Sequence, residues 1–277
     1  MSLESQRPAL ERARENYWRW LSSAHRGPHS RRTAERNAAF FLPLLKPGMR
    51  LLDGGCGPGS ITVGLAAAVS PGPVVGVDVD GEALEFAHVF SANAGASNIG
   101  FEQHHLRALP YDDANFDAVF MHFVLQHVDE PDRVLDEAFR VLKPGGVIGV
   151  ADADFDGALI WPNDPLLRRS TEILIAVRSE GDPRIGKQIP GLLAEAGFTK
   201  VSAAAVANSD GDAASNALSG AFWSQYFAAE PFIAYVEVKG ISNADEMRSI
   251  SEAWLRWAGT PGAFAARWGV QATAMKP

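Results

Sequence analysis

Between residues 50 and 151 the chain alternates short apolar runs with longer segments in which apolar residues recur at helical spacing. The runs at 50–54, 74–78, 99–104, 116–121 and 147–151 read as strands, each short and rich in Val, Ile, Leu or Phe. Helices are predicted from the loop after Gly59 to about Val69, over Gly81–Ala94, and over Pro131–Leu142, where Val134, Leu135, Ala138, Phe139 and Leu142 form one stripe. Ser70-Pro71-Gly72-Pro73 is a turn. Strands alternating with helices predict an α/β fold with a doubly wound, mostly parallel sheet. Ligands of such sheets bind beyond the carboxyl ends of the strands. Asp53, Asp78, residues 104–107, His122 and Asp152 are therefore expected along one rim.

The flanks are patterned differently. Leu10, Ala13, Tyr17, Trp20 and Leu21 recur at helical spacing and predict an amphipathic helix ending near Ser23. This stretch carries many arginines and no lysine before Lys46. It suits a lid closing aromatic side chains over a ligand, or equally a helix packed on the sheet or on a second subunit. Past Asp152, residues 154–165 read as a loop containing Phe155 and Trp161, followed by a helix over Leu166–Val177, a short helix ending near Phe198 and a strand over Val201–Ala207. The Gly-, Asp-, Ala- and Ser-rich stretch 208–219 reads as a linker. Beyond it Phe222, Trp223, Tyr226, Phe227, Phe232, Tyr235, Trp254 and Trp257 crowd one segment, and Phe264, Trp268, Val270 and Ala272 precede the end as a last strand. The expected organisation is an N-terminal helical lid (1–45), a core (46–207), an aromatic cap insertion (208–262) and the last core strand (263–277).

Composition narrows the function classes. With 277 residues, 47% apolar and 21% charged, the chain is long enough for one large core with a cap. No apolar run reaches membrane-span length and the N-terminus has no signal-peptide pattern, so a cytoplasmic location without membrane insertion is expected. The net charge of −8 argues against a nucleic-acid partner. The single cysteine, Cys56, excludes an internal disulfide and reads as a small packing residue. Asp152, Asp154, Asp156 and Asn163 are too closely spaced to suggest an octahedral metal site, and no metal is expected.

The candidate chemistry begins at Leu51-Leu52-Asp53-Gly54-Gly55-Cys56-Gly57-Pro58-Gly59-Ser60, a strand, a tight glycine loop and a helix N-terminus. Such a loop lets a ligand lie against bare backbone. The order Gly55-x-Gly57-x-Gly59 differs from the dinucleotide pattern, which argues against a hydride-transferring dehydrogenase, and Asp53 suits a ligand with an ammonium group. Asp78 ends the second strand where an acid can accept both hydroxyls of a ribose. A ribose and an amino acid without phosphate describe S-adenosylmethionine.

With these blocks, Leu109-Pro110-Tyr111-x-Asp113-x-x-Phe116-Asp117 and Val141-Leu142-Lys143-Pro144-Gly145-Gly146 complete an ordered set over about residues 40–150. The set resembles the class I S-adenosylmethionine-dependent methyltransferases, in the small-molecule branch similar to ubiquinone and menaquinone biosynthesis enzymes. The resemblance implies a seven-stranded Rossmann-like sheet with an antiparallel last strand. It also implies cofactor contacts at Asp53, Gly54, Gly55, Gly57, Pro58, Gly59, Asp78 and Val79. The family's adenine-side acid is replaced here by His105, whose imidazole can accept from the amino group, with the Leu106 amide beside it. Met121 to Val128 matches the segment under the methionine part, which adds His122 to the cofactor contacts. His122 and His127 are either a general base or hydrogen-bonded structural residues, and Asp152 lies where the acceptor is expected. Tyr17, Trp20, Phe123, Phe155, Phe222, Trp223 and Tyr226 are candidate contacts for a small, apolar or aromatic acceptor, suited to natural-product tailoring. Two alternatives are a relative that cyclises or rearranges an isoprenoid or polyketide, and a protein that binds the cofactor without turnover. The N-terminal helix could also build a homo-oligomer.

Overall fold

The structure, a computed structural model, describes residues 3–29, 31–178 and 181–277, with side chains outside 3–7 and 22–29. The chain forms two compact units. The smaller comprises residues 1–23, 155–179 and 207–268, the larger residues 24–154, 180–206 and 269–277. The strands are β1 (Leu51–Gly54), β2 (Val74–Asp78), β3 (Ile99–Gln103), β4 (Phe116–His122), β5 (Leu142–Trp161), β6 (Thr199–Asp210) and β7 (Phe264–Met275). The α-helices are α1 (Leu3–His29), α2 (Ala34–Asn37), α3 (Ser60–Val69), α4 (Gly81–Asn93), α5 (Pro131–Val141), α6 (Pro165–Val177), α7 (Ile189–Glu195), α8 (Ala213–Ala228), α9 (Glu230–Val238) and α10 (Ala244–Ala258).

One seven-stranded sheet has the order β3-β2-β1-β4-β5-β7-β6. The pairs β1–β2, β1–β4, β2–β3 and β4–β5 are parallel. β7 runs against β5: Gly145 N donates to Lys276 O and Lys276 N to Gly146 O, both at 2.9 Å, while further along β5 Asp152 O lies against Gly269. Both faces of the central strands are covered. Leu52, Val75, Val77, Val119, Met121, Ile148 and Val150 pack on the α5 stripe of Val134, Leu135, Ala138 and Val141 and on Ile189 and Leu193. On the opposite face Leu51, Val74, Ala118, Phe120 and Val147 meet Ala34, Ala38, Phe41, Leu65 and Val69. Each Val, Leu, Ile, Phe or Met among them contributes about 1.5–3 kcal/mol by leaving water, and burial on both faces explains why these strands read as continuous apolar runs.

The Leu-Pro and Lys-Pro-Gly-Gly blocks are structural ties. Arg140, in the last turn of α5, donates to Leu109 O and Tyr111 O and pairs with Glu137 and Asp113. Asp117 accepts from Arg50 N at 2.9 Å and from Lys143 Nζ at 2.7 Å, binding the starts of β1, β4 and β5 together.

Three local expectations are corrected. The fifth strand extends far beyond 147–151, to 20 residues ending at Trp161, so residues 154–161 are strand and not loop. Asp152, Asp154 and Asp156 hid it, because aspartate disfavours strands while the intervening residues alternate as a strand requires. Residues 208–219 are no linker: β6 continues to Asp210 and α8 starts at Ala213. Asp212 caps this helix, accepting from Ala214 N and Ser215 N, and Ser215 reaches back to Asp212 N. The small residues that suggested flexibility instead allow close packing on α10: a Cβ on Gly220 would meet Ala258 Cβ, and the Ser224 and Ser251 hydroxyls are 2.9 Å apart. Finally, α1 runs to His29, past Gly27-Pro28 and beyond the expected end near Ser23, and Leu10 on it is exposed.

The core of the smaller unit is aromatic. Tyr17 stacks on Tyr235 with centroids 4.9 Å apart, its hydroxyl lies 2.9 Å from that of Tyr226, and Trp20 meets Tyr226 edge-on at 5.0 Å. Trp223 stacks on Trp254 at 5.9 Å, and Trp257 Nε1 donates to Trp161 O. Such ring pairs add about 0.5–1.5 kcal/mol each beyond the area they bury.

Candidate functional site

The glycine loop between β1 and α3 is held by β2. Gly55 N and Cys56 N both donate to Val77 O, at 2.7 and 3.1 Å. Gly55 takes φ +71, and a Cβ there would collide with Val124 Cγ2. Gly57 takes φ +52, and its missing Cβ points into open space with nothing of the chain within 4 Å. Gly59 precedes the first turn of α3, with Pro58 buried before it. The three positive-φ positions, Gly59 included at φ +74, turn the backbone back on itself, and Gly57 leaves its Cα side uncovered.

Two carboxylates flank this cradle. Asp78 Oδ2 accepts from Gly57 N at 2.8 Å and Oδ1 from Asp80 N at 3.0 Å, so the tip of β2 is tied to the loop. Asp53, 3% exposed, accepts from Thr62 Oγ1 of α3 at 2.6 Å. Burial pushes the Asp53 carboxyl up to about 7; the Thr62 hydrogen bond offsets part of this and the Asp78 charge adds to it. Burial also raises Asp78, against the hydrogen bonds from Asp80 N and Gly57 N. The Cys56 thiol is raised by its own burial and by both acids, which makes it an inert packing group. Among the described residues neither Asp53 nor Asp78 has a cationic partner. Buried carboxylates of this kind call for one.

Strand register brings the expected rim together in the larger unit. Gly54 is level with Val77 and Met121, Asp78 with Gln103, and His122 with Ala151. Val79 follows Asp78 as an exposed apolar side chain, with its carbonyl held by Gln103 Nε2. The Leu106 side chain packs against Gly54, where an added Cβ would lie 3.1 Å from it, whereas His105 is exposed.

Beyond β4 the chain makes a strained turn. Phe123 takes φ +58, a left-handed conformation unusual for a bulky side chain, and its N–H donates to Ala151 O at 2.7 Å. Its ring lies 4.3 Å from the His122 ring. His122 Nε2 is 3.5 Å from Asn37 Nδ2, and Nδ1 is buried with no hydrogen-bond partner. Burial, reinforced by the Arg32 charge, pulls His122 down to about 3, so it is neutral at physiological pH. The Arg32 guanidinium lies 4.8 Å from the Phe123 ring centre; burial lowers it to about 10 and the Asp152 charge counteracts this. Asp152, 1% exposed, accepts from Gln126 N at 3.2 Å and Ala153 N at 2.9 Å, and His127 is exposed at the end of the short turn Leu125–His127. Arg32 and Asn37 escaped the sequence reading: one arginine among many at the N-terminus looks like a solvated helix face.

Of the candidate acceptor contacts, Phe123 belongs to this rim. Tyr17, Trp20, Phe222, Trp223 and Tyr226 come together in the aromatic core of the smaller unit, with Tyr17 and Tyr226 buried and the others half-buried. Phe155 packs there too, with Arg178 5.3 Å from its ring centre. Among the described residues no group of three or more His, Cys, Asp or Glu could hold a metal ion, and no helix is long and apolar enough to cross a membrane.

Comparison with known proteins agrees with this geometry. Residues 45–191 match a family model described as a methyltransferase domain. The chain is 38% identical over 146 residues to the probable methyltransferase ltbC of Aspergillus luteorubrus, covering 50% of this chain and 51% of that protein. It is 35% identical over 136 residues to a demethylmenaquinone methyltransferase of Lactobacillus johnsonii, covering 48% and 53%. The chain thus spans about half the length of the curated relatives it matches. Its fold is similar to that of the YcgJ protein of Bacillus subtilis, with a TM-score of 0.58 at 18% identity over 87% of this chain and 98% of that one. It is also similar to that of the [4+2]-cyclase SpnF, with a TM-score of 0.52 at 23% identity over 90% and 85%. A matched family model over more than half the chain and a seven-stranded sheet of the right order lead to one conclusion: the chain belongs to the methyltransferase-domain family, in its class I, S-adenosylmethionine-dependent form.

Proposed function

We propose that the chain transfers a methyl group from S-adenosylmethionine to a small, largely apolar or aromatic metabolite, as a tailoring step on a natural product. The observation that carries this reading is the pair of buried carboxylates without cationic partners beside a backbone cradle open at Gly57. A ligand bearing an ammonium, a sulfonium and a ribose fits that donor set. Asp53 would take the ammonium, Asp78 the ribose hydroxyls, the bare backbone surface at Gly57 would lie against the tail, and Val79, His105 and Leu106 would meet the base. One matched relative is named for demethylmenaquinone, which supports a small-molecule acceptor.

When bound, S-adenosylmethionine supplies a methyl group already activated for in-line attack, so the chain's main contribution is alignment. His122 suits that task as a neutral hydrogen-bonding group; held near 3, it is too weak a base to deprotonate a hydroxyl. Asp152 fixes the turn after β4 through Gln126 N, and Arg32 brings positive charge to the Phe123 face. Incubating the protein with S-adenosylmethionine and a panel of phenols, quinols and aromatic amines is expected to yield S-adenosylhomocysteine and a product heavier by one methyl group. A product of unchanged mass would identify a cyclisation instead, and absence of turnover with every acceptor would sink the enzyme reading.

The Asp53 carboxyl gives this cofactor site a pH signature. Its folded-state value, about 7, lies above the ordinary 3.8. Its contribution to folding is therefore complete below pH about 4 and is lost as pH rises through about 7. Asp53→Asn is expected to melt above the natural protein at pH 8, with the gap closing toward pH 4. Uptake of an ammonium ligand needs the ionised form, so affinity should weaken below pH 7 by up to about tenfold per unit. Calorimetric titration across pH 5 to 9 checks both; Asp78, Thr62 and Cys56 face the same carboxylate, and Asp53→Asn isolates its share. A flat profile for the natural protein would remove the ammonium contact from Asp53.

A further inference from the structure

The smaller unit holds a buried cation that, among the described residues, has no hydrogen-bonded or ion-paired acid. Arg267, on β7, lays its guanidinium over the Trp223 ring at 4.5 Å from the centre and lies 5.8 Å from that of Trp254. Among the described residues no carboxylate, carbonyl or hydroxyl accepts a hydrogen bond from it. The acid that acts on it through space, Asp210, instead accepts from Ser219 Oγ at 2.7 Å. Arg267 Nη2 is buried without a partner, and so is the Nε1 of Trp254, which is 2% exposed. Desolvation lowers the guanidinium to about 10, yet the residue retains accessible surface.

Buried donors in folded proteins are nearly always satisfied, and a guanidinium has five of them. Stacking on an indole uses the face of the guanidinium and leaves its N–H edge for an acceptor. Both unpartnered groups here are donors, so their missing partner is an oxygen acceptor. A planar guanidinium matches a carboxylate in bidentate fashion better than it matches a neutral carbonyl. The surrounding surface is aromatic: Trp223 and Trp254 flank the cation, and Phe222 packs edge-on against Trp223 at 5.0 Å. We propose that Arg267, with Trp254 Nε1, is an anion-recognition site within the smaller unit that binds the carboxylate of an aromatic acid.

The test is calorimetric titration of the full chain with benzoate, 2-naphthoate and indole-3-carboxylate, each beside its primary amide. At least one acid is expected to bind saturably and about tenfold or more tighter than its amide, the margin of a charge-assisted pair. Arg267→Gln is expected to bring the acid down to the level of the amide, Arg267→Lys to retain part of the preference, and Trp254→Phe to lose a smaller part with the ring preserved. The acid–amide comparison on the natural protein stands even if Arg267→Gln does not fold. Uptake of S-adenosylmethionine, measured on the same samples, is expected to stay unchanged, which keeps a failure here apart from a failure of the methyl-transfer reading. No binding of any of the three acids, equal binding of acid and amide, or a folded Arg267→Gln protein with natural affinity would each overturn the proposal.

Discussion

Replacing Asp78 by alanine is expected to weaken binding of S-adenosylmethionine by on the order of a hundredfold or more. Hydrogen bonds to a charged group are each worth about 1.5–3 kcal/mol, and the ribose presents two hydroxyls. The same change releases Gly57 N, which Asp78 Oδ2 holds at 2.8 Å, so the cradle loses its tie to β2. Folding should change little by comparison, because the lost hydrogen bonds are offset by removing a carboxylate that burial disfavours. Asp78→Asn is expected to fall between, since it retains one acceptor and adds a donor. Calorimetry with S-adenosylmethionine, paired with thermal melts, separates the two effects. Undiminished affinity in Asp78→Ala would mean that the tip of β2 does not hold the ribose.

The second large effect contrasts two neighbouring glycines. Gly57→Ala meets nothing within the chain, so its folding cost is limited to the strain of φ +52, about 1 kcal/mol. That corresponds to a drop in melting temperature of about 2–4 °C. Its methyl group fills the cradle, however, and uptake of S-adenosylmethionine should be lost. Gly55→Ala should behave in the opposite sense, with folding as the first casualty: its Cβ collides with Val124 Cγ2, and overpacking of this kind costs about 1–3 kcal/mol on top of the strain. Adding Val124→Ala to Gly55→Ala should recover much of the lost stability. If Gly57→Ala bound the cofactor normally, the open face of the loop would not be where the ligand lies.

The parts of the chain legible beforehand were those where burial leaves no choice of pattern. β1, β2 and β4 are covered on both sides, so Leu51-Leu52, Val74-Val75 and Val119-Phe120 read as strands without ambiguity. The rim followed from topology, because parallel strands deliver Asp53, Asp78 and His122 to one edge. The second half of β5 was illegible because its acids mimic a loop. Residues 208–219 were illegible because small residues serve close helix packing as readily as flexibility, and only the Asp212–Ser215 pairing hinted at a helix. Arg32 and Arg267 were missed for a different reason. An arginine's role depends on whether an acid stands within reach in space, and spacing along the chain does not encode that.

The way the chain threads its two units has a consequence for synthesis on the ribosome. β7 contributes residues up to 268 to the smaller unit and from 269 onward to the larger. Neither unit has its full set of residues until translation has reached that strand, so the two are completed almost together. A premature stop before Phe264 would leave two incomplete bodies, where a chain built as successive domains would release one finished and one missing.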